Sequence, residues 1–284
     1  MSHLSRRSLF AAPLVLAAAA LAVSGTAAFA ADGTFDKTLS VRGAPIVNVS
    51  TGAGYIHVNP GSDNQFHVVG HVHANNGWLS AGDPDAVVKK IVANPPITQT
   101  GSIITIGHTD DHELYRNVSI SYEITTPRST LLTSHTGSGE VQIAGISGAV
   151  TAGSGSGSLH LSLASSGDVH TRTGSGSIHI EGATGALHAS TGSGSIDAAG
   201  NIGTGWDLST GSGSIRIKLP DNAHFSLNAS TGSGSVHVDQ PMMMQGSINH
   251  HHVSGNVNGG GPTLHASTGS GDITIHGNGT TAER

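Results

Sequence analysis

The feature that most constrains the fold of this chain is a short stretch that recurs at near-constant spacing. STGSGSI occurs at 190–196 and again at 209–215, and closely related stretches occur at 230–236 and 267–273. By composition such a stretch is typical of a flexible linker. A linker has no reason to keep phase with an apolar pattern, yet apolar-x-apolar triplets follow these copies, as in Ile215-Arg216-Ile217. The alternation predicts a half-buried strand after each copy.

A second short strand precedes most copies, as in Leu187-His188-Ala189, so each repeat holds two strand phases. Repeat units begin at Thr136, Ser154, Thr173, Thr191, Thr210, Thr231, His252 and Thr268, in steps of 18, 19, 18, 19, 21, 21 and 16 residues. This periodicity is typical of a β-solenoid, whose stacked coils bury a narrow apolar column. The glycines suit tight corners that stack on one another.

We therefore predict an all-β protein, a β-solenoid similar to a single-stranded β-helix, with coils of roughly 18–21 residues. Residues 133–284 form its repetitive part, and residues 31–132 form a less regular β-rich N-terminal part. That part contains one short helix near Asp83-Pro84, because Asp suits the N-cap and Pro the first helical position.

Residues 1–30 have the pattern of a secretory signal peptide. A basic start with Arg6 and Arg7 precedes a short apolar run, and Ala28-Phe29-Ala30 forms a small-x-small cleavage sequence. The start of the run resembles a twin-arginine export signal with Leu9 and Phe10 in swapped order. We expect an exported protein in the periplasm, on the cell surface or outside the cell, with no transmembrane segment in the mature chain.

Charge argues against nucleic acid as a partner. Loss of Arg6 and Arg7 leaves 12 − 2 = 10 basic residues against 18 acidic ones, a net charge of −8 with histidine neutral. Contacts to phosphate dominate nucleic-acid affinity and require the opposite sign. The absence of cysteine also excludes disulfides and thiolate metal sites.

The outward strand positions predict two ladders of polar side chains, each stepping by one strand spacing of about 4.8 Å. The first ladder follows the corner and contains Gln142, His160, His179, Asp197, Arg216, His237, Asn258 and Thr274. The second ladder precedes the corner and contains Thr151, His170, His188, Asp207, Asn228, Asn249 and His265. Asp197 and Arg216, one coil apart, are expected to form an ordinary exposed salt bridge.

Two interpretations of the histidines remain open at this point. His160 with His179, or the run His250-His251-His252, offers nitrogens to Zn²⁺ or Cu²⁺, although no fixed ligand spacing recurs. The alternative is that they are solvated polar residues on an exposed face. We expect neither a structural metal nor a cofactor.

Catalysis requires a cluster of acids, bases or nucleophiles that the repeats do not supply. The acids of residues 133–284 are scattered, and the recurrent Ser lacks the strand-to-helix context of a nucleophile elbow. We predict that the protein is not an enzyme. The corner hydroxyls either form an array that meets a glycan or cell-wall polymer, or satisfy backbone groups of the corner.

A Tyr-x-Ile-x-x-Pro stretch (Tyr122, Ile124, Pro127) leads into these repeats. In this arrangement the chain, over about residues 35–284, resembles the bacterial putative-adhesin family, a β-strand-repeat domain of unknown function. The resemblance implies no catalytic residues. We expect a structural or adhesive envelope protein whose partner is a cell-surface glycan or an envelope protein. The alternative is a periplasmic ligand- or metal-binding scaffold.

Overall fold

The computed structural model describes residues 31–75, 83–107, 111, 113–165, 167–240, 242–244 and 250–277. The predicted signal peptide and Asn249 lie outside these residues. The all-β prediction is confirmed, because the described chain consists of two large mixed sheets and one helix.

Eleven strands form the first sheet, here called sheet A. In chain order they are β1 (Ala31–Ser40), β3 (Ile56–Pro60), β4 (Gln65–Ala74), β7 (Val118–Thr126), β9 (Val141–Ala144), β11 (Leu159–Ser162), β13 (Ile178–Ala183), β15 (Ile196–Gly200), β17 (Ile215–Leu219), β19 (Val236–Val238) and β23 (Ile273–Gly277).

Twelve strands form the second sheet, sheet B. They are β2 (Ile46–Ala53), β5 (Ile97–Thr100), β6 (Ile103–Ile106), β8 (Leu131–Ser138), β10 (Val150–Ser154), β12 (Val169–Ser175), β14 (Leu187–Ser193), β16 (Trp206–Ser212), β18 (Phe225–Ser233), β20 (Met242–Met244), β21 (His252–Val257) and β22 (Thr263–Ser270).

Period-two alternation places the core between the two sheets. In β17 the side chains of Ile215, Ile217 and Leu219 are fully buried, whereas Arg216 and Lys218 are exposed. Each strand of the central array repeats this pattern, so the inner faces build one continuous apolar column. Burial of that column supplies the main stabilisation that a narrow repeat of this kind has available.

From β8 to β17 successive strands alternate between the sheets, and each pairs in parallel with its equivalent in the next repeat. Leu159 pairs with Ile178 in sheet A, and Val169 pairs with Leu187 in sheet B. Register is therefore fixed by the repeat, since a slip of one residue would turn every apolar side chain outward.

The order of the last repeats differs from the order that the sequence predicts. The repeat formed by β22 and β23 lies between β16–β17 and β18–β19, so the last repeat in the chain is not the last in space. The chain passes over one strand spacing in the connection at residues 220–224. Asn258 ties that connection down by donating its Nδ2–H groups to the carbonyls of Asp221 and Ala223.

The unit predicted to begin at His252 is not a further parallel repeat. β21 begins at His252 and pairs antiparallel with both β18 and β20, which caps sheet B at this end. The Met strand β20 is the outermost strand, with Met243 exposed.

The N-terminal end mirrors this arrangement. β2 and β3 lie between the repeat β8–β9 and the pair β6–β7, so the two-sheet array continues across residue 132. β1 and β4 close sheet A with antiparallel pairs, and the predicted helix α1 (Pro84–Ala93) packs against them with Val88 and Ile91 buried. Asp83 caps this helix by accepting the Asp85 N–H. The domain boundary at 132 stays a prediction.

Candidate functional site

The threonines at the corners between the two sheets are buried. Thr191 and Thr210 are buried, and each Oγ1 donates to a glycine carbonyl of the preceding repeat, at 2.9 and 2.8 Å. The same bond recurs at Thr136, Ser154, Thr173, Thr231 and Thr268. For the threonine position, the alternative in which corner hydroxyls bond to backbone groups is therefore correct. These threonines cannot belong to an exposed array.

Glycines stack at the corner because neighbouring backbones approach too closely for a side chain. A Cβ on Gly192 would lie 2.6 Å from the Gly174 carbonyl oxygen, and Gly271 has a φ of +141°. The first serine after each such glycine, for example Ser193 and Ser212, is exposed. The second serine of the corner is exposed at Ser177 and Ser235 and half-buried at Ser195 and Ser214, so the corner offers two outward hydroxyl columns rather than three.

The outer face of sheet A holds the first ladder. Gln142, His160, His179, Asp197 and Arg216 occupy successive strands in the predicted register. The Arg216–Asp197 salt bridge is present at 3.4 Å. Beyond Arg216 the prediction is wrong, because the inserted strand β23 places Thr274 next and His237 after it. Asn258 lies in the turn after β21 and has no place in the ladder.

Carboxylates accompany the histidines of sheet A. Of the eight histidines on its strands, seven lie within 4.0 Å of an acidic side chain, and the eighth, His57, stacks on Tyr55. The pairs are His67–Asp36, His71–Glu123, His73–Asp32, His160–Glu140, His179–Glu181, His237–Asp239 and His276–Asp239.

Two of these contacts shift a pKa. The hydrogen bond to Asp32 raises the pKa of His73, because the carboxylate favours the protonated imidazole. The hydrogen bond from His276 lowers the pKa of Asp239 for the converse reason, and His237 adds to the effect.

The outer face of sheet B holds the second ladder. Thr151, His170, His188 and Asp207 follow one another in register. The next residue is His265 and then Asn228, which corrects the predicted order for the same topological reason as in sheet A. The rings of His170 and His188 stack with centroids 4.8 Å apart and nearly parallel planes.

A third row lies beside the second ladder, two residues further along each strand of sheet B. It consists of Ser50, His135, Gly153, Arg172, Ser190, Ser209, Ser267 and Ser230. Sequence reasoning missed His135 and Arg172 in this row. The signal was available, because the residue directly before each corner Thr is Ser in the regular copies and departs from Ser at these two positions.

A shallow groove of about 430 Å³ follows the second ladder and the third row, and a second of about 450 Å³ adjoins it on the corner side. His135, Arg172, Ser190 and Ser209 line both. The His135 ring lies over the backbone of Gly153, in space that a side chain there would occupy. The groove runs across the strands from β8 to β16.

The metal candidates are not brought together. His160 and His179 are neighbours with ring centroids 6.2 Å apart, while His250 and His251 lie in the turn before His252. Within the part of the chain that the structure describes, no group of three or more His, Asp or Glu side chains is arranged to hold a metal ion.

Comparison with known proteins identifies a family. The family model described as Toastrack DUF4097 matches residues 47–276. No curated protein matches the chain. Across the described ranges, no helix is both long and apolar enough to cross a membrane.

Solved structures that show similarity to this chain come from three bacteria. One is a putative cell adhesion protein from Clostridium sporogenes, at 12% identity and a TM-score of 0.34, covering 86% of this chain and 99% of that one. A putative adhesin from Bacteroides fragilis has 12% identity, a TM-score of 0.39 and coverages of 86% and 97%. A putative lipid binding protein from Parabacteroides distasonis has 10% identity, a TM-score of 0.35 and coverages of 86% and 96%.

Proposed function

The chain belongs to the toastrack family DUF4097, and from that premise we propose that it is an exported, non-enzymatic adhesive protein of the cell envelope. The resemblance to the bacterial putative-adhesin family is confirmed by this membership and by the names of its structural neighbours. The single observation that carries the proposal is the in-register repetition of exposed polar side chains across both sheets.

We infer further that the array is a β-solenoid with two strands in each coil. Support comes from strands that alternate between the sheets, and from parallel pairing at equivalent positions of neighbouring repeats. In such a solenoid each outer position recurs at every strand spacing, about 4.8 Å. A surface of this kind suits a ligand that is itself repetitive.

Adhesion by a lattice depends on many weak contacts made together, because linked contacts raise the effective concentration of the next one. The exposed rows provide such contacts, whereas the buried threonine hydroxyls are engaged with backbone carbonyls and are poor candidates for nucleophiles. The proposed export rests on the sequence pattern around Arg6 and Arg7, which is typical of an export signal.

The test is retention of the purified mature protein on envelope preparations. We expect His188→Ala, a single change in the second ladder, to alter retention only slightly, while a block of changes on the contact face reduces it strongly. Circular dichroism controls for folding. If a single substitution abolished retention while the fold stayed intact, binding would have to be assigned to a discrete pocket and not to a lattice of weak contacts. Absence of retention would overturn the adhesive function itself.

A further inference from the structure

The outer face of sheet B differs from that of sheet A in how its cations are paired. Arg172 projects from the centre of the groove, and no described carboxylate lies within 4.0 Å of it. Arg216, its counterpart on sheet A, is paired with Asp197. An exposed cation with no acidic neighbour is available to an anionic ligand.

Most histidines of sheet B also lack a carboxylate neighbour among the described residues. Its strands carry His135, His170, His188, His252 and His265, and of these only His188 lies within 4.0 Å of a described carboxylate, that of Asp207 at 3.9 Å. Asp207 is the only acidic residue in the second ladder or the third row as described. Asp168 lies at the start of β12 and accepts the Ala186 N–H at the strand end.

The nitrogen donors on this face mostly lack acidic neighbours among the described residues. On sheet A carboxylates lie beside the imidazoles, whereas on sheet B the imidazoles of His135, His170 and His188 line the same groove as Arg172. The groove therefore offers one permanent positive charge and several imidazole N–H donors to an anion, although the mature chain is acidic overall.

The geometry of the groove favours a linear ligand. Nitrogen donors and hydroxyls lie in two parallel rows that run across the strands, with about 4.8 Å between neighbouring strands. Ser190, Ser209 and Ser267 continue the row beyond Arg172 and can donate to or accept from sugar hydroxyls. Arg pairs with carboxylate groups in a planar, two-bond geometry.

We propose that the groove across β8 to β16, centred on Arg172, binds an acidic polysaccharide that carries carboxylate groups, with its chain lying across the strands. This inference rests on the proposed adhesive function and names the ligand class and the face. The carboxylates contact Arg172 and the imidazole N–H groups of His135, His170 and His188, and the sugar hydroxyls contact the serines of the third row.

The first experiment measures polygalacturonate binding by the full mature protein at pH 5.5 and pH 7.5, with neutral dextran as the control polymer. We expect binding to polygalacturonate and none to dextran. Arg172→Gln is expected to weaken binding roughly tenfold, as loss of one charge-assisted hydrogen-bonded contact implies. The matched variant Arg216→Gln removes the same charge from sheet A and should leave affinity unchanged.

A block comparison separates a specific face from general charge attraction. The variant His135→Gln, His170→Gln and His188→Gln should bind polygalacturonate more weakly than the unchanged protein. The variant His160→Gln, His179→Gln and His237→Gln, on sheet A, should retain the affinity of the unchanged protein. Equal losses in the two variants would show attraction to the whole surface and overturn the site.

Two further outcomes also overturn the inference. Binding of inorganic polyphosphate more tightly than polygalacturonate would assign the groove to a phosphate polymer. Absence of polygalacturonate binding at pH 5.5, while envelope retention persists, would remove the ligand class and leave the adhesive function standing. Loss of retention on every envelope preparation, with polygalacturonate still bound, would instead remove the adhesive function alone.

Discussion

The two sheets share one backbone plan and carry different outer surfaces. Both bury an apolar residue at every second position, and both hold their repeats in parallel register. On sheet A nearly every histidine has a carboxylate beside it, whereas on sheet B most histidines and Arg172 have none among the described residues. The repeat thus fixes the inside, while the outward positions are free to differ in charge.

The largest expected effect concerns the apolar core that the two sheets share. Ile178→Asp in sheet A and Leu187→Asp in sheet B each place an unpaired charge in a dry core, since both side chains are fully buried. Each change should lower the free energy of unfolding by several kcal/mol. The outward controls His179→Asp and His188→Asp should change it little. Chemical denaturation measures all four, and tolerance of either inner substitution would end the equivalence of the two sheets.

A smaller effect is expected at the corner where the sheets join. Thr191→Val keeps the shape of the side chain and removes its hydrogen bond to the Gly176 carbonyl. A buried acceptor left without this partner should cost about 1–2 kcal/mol in the free energy of unfolding. Ser193→Ala, at an exposed position two residues along, is the matched control and should be near neutral. A neutral Thr191→Val would show that the corner does not need the bond.

The difference between the buried and the outward strand positions also explains which features could be predicted from the sequence. Strands, register and corner follow from alternation and from glycine, because both are local and repeated. The ladder from Gln142 to Arg216 was therefore predictable, as was the Asp197–Arg216 pair. Helix α1 was predictable from Asp83 and Pro84 for the same local reason.

The order of the end repeats was not predictable in this way. Whether β23 pairs with β17 or lies beyond β19 changes no local pattern, because every strand offers the same register to every other. Tertiary contacts such as those of Asn258 to the 220–224 connection accompany the observed order and leave no trace in the local pattern. The groove was missed because His135 and Arg172 become neighbours of Gly153 only after stacking.

A pH titration tests the pairing of sheet A directly. Asp32 raises the pKa of His73, so Asp32→Asn should return that pKa toward the ordinary value near 6.5. Because the folded-state pKa is raised, the stabilisation is complete below the unfolded-state value and is lost as pH rises through the folded-state value. NMR titration of the imidazole resonances measures the shift. An unchanged pKa for His73 in the variant would remove Asp32 as the cause.

A second titration examines the other end of sheet A. The pKa of Asp239 is lowered by His276 and His237, which come from neighbouring strands β23 and β19. For a lowered carboxyl pKa the stabilisation is present above the unfolded-state value and lost as pH falls through the folded-state value. The hydrogen-exchange protection factors of β19, which are corrected for the intrinsic pH dependence of exchange, should therefore fall in acid, and Asp239→Asn should abolish that dependence. Persistence of the acid effect in the variant would point to another group.

The smallest expected effect concerns the two arginines as contributors to stability. Arg216 and Asp197 form an exposed pair, and such pairs contribute about 0–1 kcal/mol. Arg216→Gln should therefore lower the free energy of unfolding by no more than this, and the difference should vanish at high salt because screening removes it. Arg172→Gln should change stability less still, since no described carboxylate pairs with that guanidinium. A double-mutant cycle with Asp197→Asn isolates the pair energy. If Arg172→Gln lowered stability more than Arg216→Gln, the fold would hold Arg172 and the side chain would not be free for a ligand. The difference in charge pairing between the two sheets would then fail at Arg172.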